Sequence, residues 1–203
     1  MVRIYTKTGD DGTTGLLYGG RVGKDAAVMH LNGTVDEAQA AMGLARAEAA
    51  PGSELDRRLT ALERELYVLM AEVATDPSHR DKLVAGRTLV TEEMVDGLEH
   101  QIDELIALVD MPTEFVVPGT NRASAALDLA RTVVRRAERL LVGHPIEGSL
   151  VGRYLNRLSD LLWALARWAE GHEHLLARGA PRRPASDPSA ARPGPDRTRT
   201  ETP

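Results

Sequence analysis

Leu55-Asp56-Arg57-Arg58-Leu59-Thr60-Ala61-Leu62-Glu63-Arg64-Glu65-Leu66-Tyr67-Val68-Leu69-Met70-Ala71-Glu72-Val73 decides the fold. Leu55, Leu59, Leu62, Leu66, Leu69 and Val73 step by four and three without a break, and charged residues fill most of the positions between them. A stripe of that length and period is buried only as one face of a helix laid against other helices. The same period recurs on both sides. Upstream, Val28, Leu31, Val35, Ala38, Met42 and Ala45 mark a helix over 26–49, ended by Pro51-Gly52-Ser53. Downstream, Thr91 reads as an N-cap with Glu92 and Glu93 in the first turn, and Val95, Leu98, Ile102, Leu105 and Val109 point inward from that third helix. A fourth helix over about 122–142 turns Ala123, Leu127, Ala130, Val134, Ala137 and Leu141 inward, and a fifth carries Tyr154, Leu158, Leu161, Leu165 and Trp168. The predicted fold is all-α, an up-and-down bundle of five helices.

Three parts follow from this reading. Residues 1–25 are rich in Gly and Thr and read as an ordered loop with a short strand at Val2–Tyr5; residues 26–179 hold the bundle; residues 180–203 form a tail. Residues 75–90, with Pro77 and Gly86, read as a loop, and Pro112 and Pro118-Gly119 bracket another. From 181 to 203 there are six prolines, five arginines and no large apolar residue. Such a segment cannot bury enough surface to offset its ordering entropy, so it is predicted to be disordered.

The 203 residues suffice for one domain with a real core, and 42% hydrophobic with 27% charged residues is a globular profile. Aromatics at only 3% weigh against strands. The absence of cysteine excludes disulfides, thiolate metal sites and cysteine nucleophiles. A net charge of −5 argues against nucleic-acid binding. No apolar run approaches spanning length and no leader opens the chain, so a cytoplasmic protein without a membrane segment is expected.

The chemistry gathers in a few places. Tyr5-Thr6-Lys7-Thr8-Gly9-Asp10-Asp11-Gly12-Thr13-Thr14 offers backbone N–H groups, hydroxyls and one ammonium to a polyphosphate. It is not a Walker A loop, because its lysine precedes the glycines. On the fourth helix Asp128, Arg131, Arg135 and Glu138 share one face beside the core seam, and two arginines one turn apart can clamp phosphate oxygens. From spacing alone, an exposed, salt-laced face is the favoured reading. On the fifth helix Asn156, Asp160 and Trp163 share a face, as do Arg153 and Arg157. Asp36 and Glu37 point about 100° apart on the first helix, which lets one face inward and reach an arginine of a neighbouring helix or subunit. His172 and His174 assemble no metal site, and no Gly-x-Ser-x-Gly elbow is present.

Taken in order, Tyr5 to Thr14, Gly33-Thr34-Val35-Asp36-Glu37, Phe115-Val116-Val117-Pro118-Gly119, Ala130-Arg131-Thr132-Val133-Val134-Arg135-Arg136-Ala137-Glu138-Arg139 and Tyr154-Leu155-Asn156-Arg157-Leu158-Ser159-Asp160 resemble the PduO-type ATP:cob(I)alamin adenosyltransferases over about residues 3–170. The resemblance implies a five-helix bundle that assembles as a homotrimer with active sites between subunits. It implies attack of cob(I)alamin on C5′ of ATP, with release of triphosphate and formation of adenosylcobalamin. Cobalt is then the nucleophile, and the protein's tasks are alignment and charge management, which suits a chain with phosphate donors and no nucleophile of its own.

By the same resemblance, Thr6, Lys7, Gly9 and Thr14 belong to an ATP loop, with Lys24 a further triphosphate contact. Arg131, Arg135, Glu138 and Asn156 line the nucleotide site, Mg²⁺ bridges the phosphates, and Asp36 pairs with Arg131 across the subunit interface. Phe115 presses on the lower face of the corrin and displaces the lower axial ligand of cob(II)alamin, which eases reduction to Co(I). Without the resemblance, Phe115 reads as a loop anchor in the core. Implied partners are ATP and the corrinoid, with a cobalamin reductase and an adenosylcobalamin-dependent enzyme as candidate protein partners. A corrinoid escort that only delivers adenosylcobalamin to a mutase is the alternative, and it needs no triphosphate clamp. The chain departs from the family pattern at Tyr18, Ala38 and Thr120, none of which is an expected ligand.

Overall fold

A computed structural model describes residues 4–171 and 174–178. The predicted tail lies outside them, as do His172 and the first residues of the predicted strand.

The five predicted helices are α1 (Ala27–Ala47), α2 (Glu54–Val73), α3 (Glu92–Leu108), α4 (Arg122–Gly143) and α5 (Val151–Glu170). Their starts follow local chemistry. The Ser53 hydroxyl accepts from Asp56 N at the head of α2, and Thr91 accepts from Met94 N at the head of α3, as its sequence position predicts. At α4, Asn121 and Ser124 form a reciprocal capping box, and the Asn121 amide also donates to Ala169 O at 2.9 Å, which ties the start of α4 to the end of α5.

The apolar stripes meet in one core, including Val35, Met42, Leu59, Leu66, Leu127, Leu158 and Leu165, all with essentially no exposure. The principal helix packings are α1 on α2, α1 on α4, α4 on α5 and α3 on α5. Laterally the order is therefore α2, α1, α4, α5, α3, so α4 and α5 sit centrally and carry the chemical stripes beside the core.

Three sequence expectations are corrected. Ile4 and Tyr5 carry no strand. The strands lie further on, where β1 (Thr13–Gly15) and β2 (Arg21–Gly23) form an antiparallel hairpin with Thr14 opposite Val22. Gly19 and Gly20, at φ 111° and 85°, permit the reversal at positions where a Cβ would be strained, and Tyr18 joins them at φ 64°. Leu17 N donates to Ala74 O at 2.8 Å, docking the hairpin on the end of α2. Secondly, residues 77–82 are not plain loop but a 3₁₀ helix, Pro77–Lys82, started by Pro77 and capped by Asp76. Thirdly, Asp36 and Glu37 are both exposed in the single chain, so neither faces the core.

Glu72 closes this end of the bundle. It is fully buried and accepts from Arg80 Nη2 at 2.8 Å, Val90 N at 2.8 Å and Ser149 Oγ at 2.6 Å, joining three otherwise separate segments. Arg80→Met leaves that carboxylate without its counter-charge, and the expected loss of stability is about 3 kcal/mol. Urea denaturation monitored by helical circular dichroism checks this. An unchanged midpoint would mean that the backbone and serine donors alone satisfy Glu72.

Candidate active site

The N-terminal loop folds into a polar cradle of about 310 Å³ whose lining includes Thr6, Lys7, Gly9, Thr14 and Lys24. The five loop residues singled out in the sequence are thus brought together. Lys7 sits at φ 62°, a left-handed conformation costly for a non-glycine residue, and its ammonium lies 5.9 Å from the Tyr5 ring. Gly9 sits in a tight spot: a Cβ there would come within 3.1 Å of the Lys24 ammonium and of Thr13 O.

Sequence reading missed Arg21. Its Nε donates to Thr13 Oγ1 at 2.9 Å, its Nη2 to Thr8 O at 2.5 Å, and it faces Asp11 at 3.6 Å. The Thr13 backbone N–H and hydroxyl, with Arg21 adding a smaller pull, hold the Asp11 carboxyl below the usual carboxylate range. Arg21 therefore braces the loop from inside the hairpin. Only the pairing of β1 with β2 brings it to Thr8, which a linear motif does not reveal.

A second cavity, of about 710 Å³, is lined by Phe115, Asp128, Arg131, Trp163 and Arg167 with neighbouring loop residues. Phe115 is 89% exposed, which rules out the core-anchor reading. Its loop is held by the segment after α5: Val117 N donates to Leu175 O at 2.7 Å, and Ala177 N to Phe115 O at 2.7 Å. This strap suggests a paired test. Ending the chain at Gly179 should leave activity and melting temperature unchanged, whereas ending it at Gly171 should free the Phe115 loop and reduce corrinoid-dependent turnover. Equal activity of the two truncations would show that the strap holds nothing functional.

Asp128 is not on an exposed face. It is buried, with Oδ1 accepting from Arg131 Nε at 3.1 Å and Oδ2 from Arg167 Nη2 at 2.6 Å. Next along α4, Arg135 is exposed and forms no ion pair among the described residues. Glu138 and Asn156 are joined across α4 and α5, Asn156 Nδ2 donating to Glu138 Oε1 at 2.9 Å. Arg157 completes this cluster by donating to Asn156 Oδ1 at 2.6 Å and Glu99 Oε1 at 2.7 Å. Partial desolvation pushes the neighbouring Asp160 carboxyl up against the pull of Arg157 and Arg135. Asp36 makes no pair with Arg131 within one chain, and Glu37 instead meets Arg136. Among the described residues no group of three or more His, Asp or Glu side chains could hold a metal ion.

This geometry offers two polar concavities lined in part by lysine or arginine side chains, and an exposed aromatic ring. A family model described as Cobalamin adenosyltransferase matches residues 4–169. The chain belongs to this family. Family members among its relatives include the corrinoid adenosyltransferase of Citrobacter freundii, 42% identical over 84% of this chain and 96% of that protein. The corrinoid adenosyltransferase PduO of Salmonella typhimurium is 38% identical over 84% of this chain, which spans 51% of that longer protein. A solved variant of the PduO-type ATP:corrinoid adenosyltransferase from Lactobacillus reuteri, complexed with cobalamin and ATP, superposes with a TM-score of 0.76 at 28% identity, covering 87% of this chain and 97% of that one. The protein is an enzyme of the adenosyltransferase family, with the helical fold of its PduO-type members. No helix among the described residues is long and apolar enough to cross a membrane.

Proposed function

We propose that this protein transfers the 5′-deoxyadenosyl group of ATP to cob(I)alamin, giving adenosylcobalamin and triphosphate. The cobalt lone pair attacks C5′, the Co–C bond forms, and the C5′–O bond breaks with its electron pair leaving on triphosphate. The observation that carries this reading is the pairing, in a chain of this family, of the polar Lys7–Lys24 cradle with an exposed phenylalanine beside Arg131. Lys7, Lys24 and Arg135 would stabilise the departing triphosphate, and Thr6, Gly9 and Thr14 would orient it. Glu138 and Asn156 would hold the nucleoside end, and Phe115 would meet the corrin. Mg²⁺ would be carried by the phosphate oxygens, since no cluster among the described residues would hold it. Mixing the protein with ATP and chemically reduced cobalamin tests the reading: the Co(I) spectrum should decay as the alkylcobalamin spectrum appears. Persistence of Co(I) would refute it.

The assembly we propose is a homotrimer. Within one chain the loop cradle and the Arg131 cavity are separate concavities, and Asp36 is exposed with no partner on α4. A neighbouring copy would bring its cradle to this chain's arginines and its Asp36 to Arg131. Sedimentation equilibrium should give three times the chain mass. A stable monomer with full activity at micromolar concentration would defeat this.

We place the reaction in the cytoplasm, where ATP and reducing partners such as a cobalamin reductase coexist. Delivery of product to an adenosylcobalamin-dependent enzyme is compatible with catalysis. The exposed apolar rim of Phe115 and Leu175, at 89% and 62% exposure, supports such a hand-over surface.

A further inference from the structure

We infer that Arg167 is a positioning residue for Arg131 in the transfer proposed above, an inference that rests on that reading. Arg167 lies on α5, 39 residues from Asp128, and its side chain is 1% exposed. Its Nη2 bonds Oδ2 of Asp128 at 2.6 Å, so a fork from Arg131 would have to share that oxygen with a second guanidinium. Arg131 therefore binds Asp128 through Nε alone, at 3.1 Å. Guanidinium and carboxylate groups otherwise favour the two-point fork, which takes up a terminal nitrogen as well. By competing for Oδ2, Arg167 disfavours that fork and leaves both terminal nitrogens of Arg131 to the cavity it shares with Phe115.

Arg167 is itself held from two sides. Glu170 Oε1 accepts from its Nη2 at 3.0 Å, and the Trp163 ring lies 5.9 Å from its guanidinium carbon. Glu170 Oε2 in turn meets His174 Nδ1 at 2.9 Å, at the start of the strap that pairs with the Phe115 loop. The chain of polar contacts His174–Glu170–Arg167–Asp128–Arg131 thus runs from the strap to the arginine of the candidate site. No linear motif contains it, because its members lie on two helices and the segment beyond.

The test uses the full chain, with preformed cob(I)alamin and varied ATP. In Arg167→Met, Asp128 is free to take Arg131 as a fork, and KM for ATP should rise roughly tenfold, the scale of one charged hydrogen bond. Adding Asp128→Asn to that variant should recover most of the rise, because a neutral amide oxygen still accepts from Nε without capturing the whole guanidinium. A purely structural role for Arg167 predicts lower melting temperature and a smaller active fraction, but wild-type KM for ATP. A folded Arg167→Met variant with wild-type KM, or a double variant with no recovery, would overturn the inference. If Arg167→Met does not fold, Arg167→Gln decides. Its amide stays polar but ends short of the guanidinium position that meets Asp128 Oδ2, so KM for ATP should rise as for methionine, and a wild-type KM there also overturns the inference. The wild-type chain run in parallel separates the two levels. Absence of turnover in the wild type refutes the adenosyl-transfer reading and this inference with it. Turnover in the wild type with indifferent variants refutes only the part given to Arg167.

Discussion

Arg135→Ala should lower kcat for adenosylation by about 10²–10³-fold, equivalent to about 3–4 kcal/mol of transition-state stabilisation. The effect is large because of what Arg135 lacks. It is exposed on α4 and forms no ion pair among the described residues, so its charge is not already spent on a neighbour. Charge grows on the leaving triphosphate only as the C5′–O bond breaks, so an arginine that meets it acts more on kcat than on KM. Folding should be unaffected, since an exposed side chain outside any ion pair contributes within about 0.5 kcal/mol. Arg131→Ala should behave differently. It strips a buried carboxylate of one donor and, if Asp36 of a neighbouring copy is its second partner, it should also weaken the trimer. Steady-state kinetics with sedimentation distinguishes the two, and wild-type kcat in Arg135→Ala would defeat the phosphate assignment.

Phe115→Ala carries the second large effect. Adenosylation that starts from cob(II)alamin should slow strongly, while ATP affinity stays nearly unchanged. The ring is 89% exposed at the mouth of the Arg131 cavity, so removing it opens no void in the core. A buried anchor would cost about 3–5 kcal/mol on truncation, whereas this side chain should cost less than about 0.5 kcal/mol. If the ring takes the place of the lower axial ligand, the variant should lose the four-coordinate cob(II)alamin spectrum in the presence of ATP. Preformed cob(I)alamin should then restore much of the rate, since Co(I) has little affinity for axial ligands. An unchanged four-coordinate signature would remove Phe115 from the corrin face.

The number, order and approximate ends of the helices were legible because helical periodicity is a local property. Each stripe, such as Leu55 to Val73, records which side of its own helix is apolar, whatever lies opposite. Caps are local too, and Thr91 shows it. The stretch from Tyr5 to Thr14 was legible as one polar loop for a related reason: its small, hydroxylated and glycine residues stand close together in sequence.

Tertiary structure alone decided the rest. A period cannot tell whether a polar residue beside the seam is solvated or buried, because the answer depends on the helix that packs there. Asp128 looked like part of a surface stripe and is buried because Arg167, far along the chain, neutralises it. Asp36 was open to an inward orientation and is exposed, while its neighbours Val35 and Ala38 are buried where α1 packs into the core. The hairpin that aims Arg21 at Thr8 depends on the left-handed turn at Tyr18, Gly19 and Gly20, and three-residue strands are too short to show an alternating pattern. Phe115 reads as core by composition and is exposed, because backbone pairing with the strap beyond α5, and not burial of its ring, holds its loop in place. Periodic patterns report one helix at a time; the pairing of charges across helices is a non-local balance between desolvation and compensation, and only the packed chain settles it.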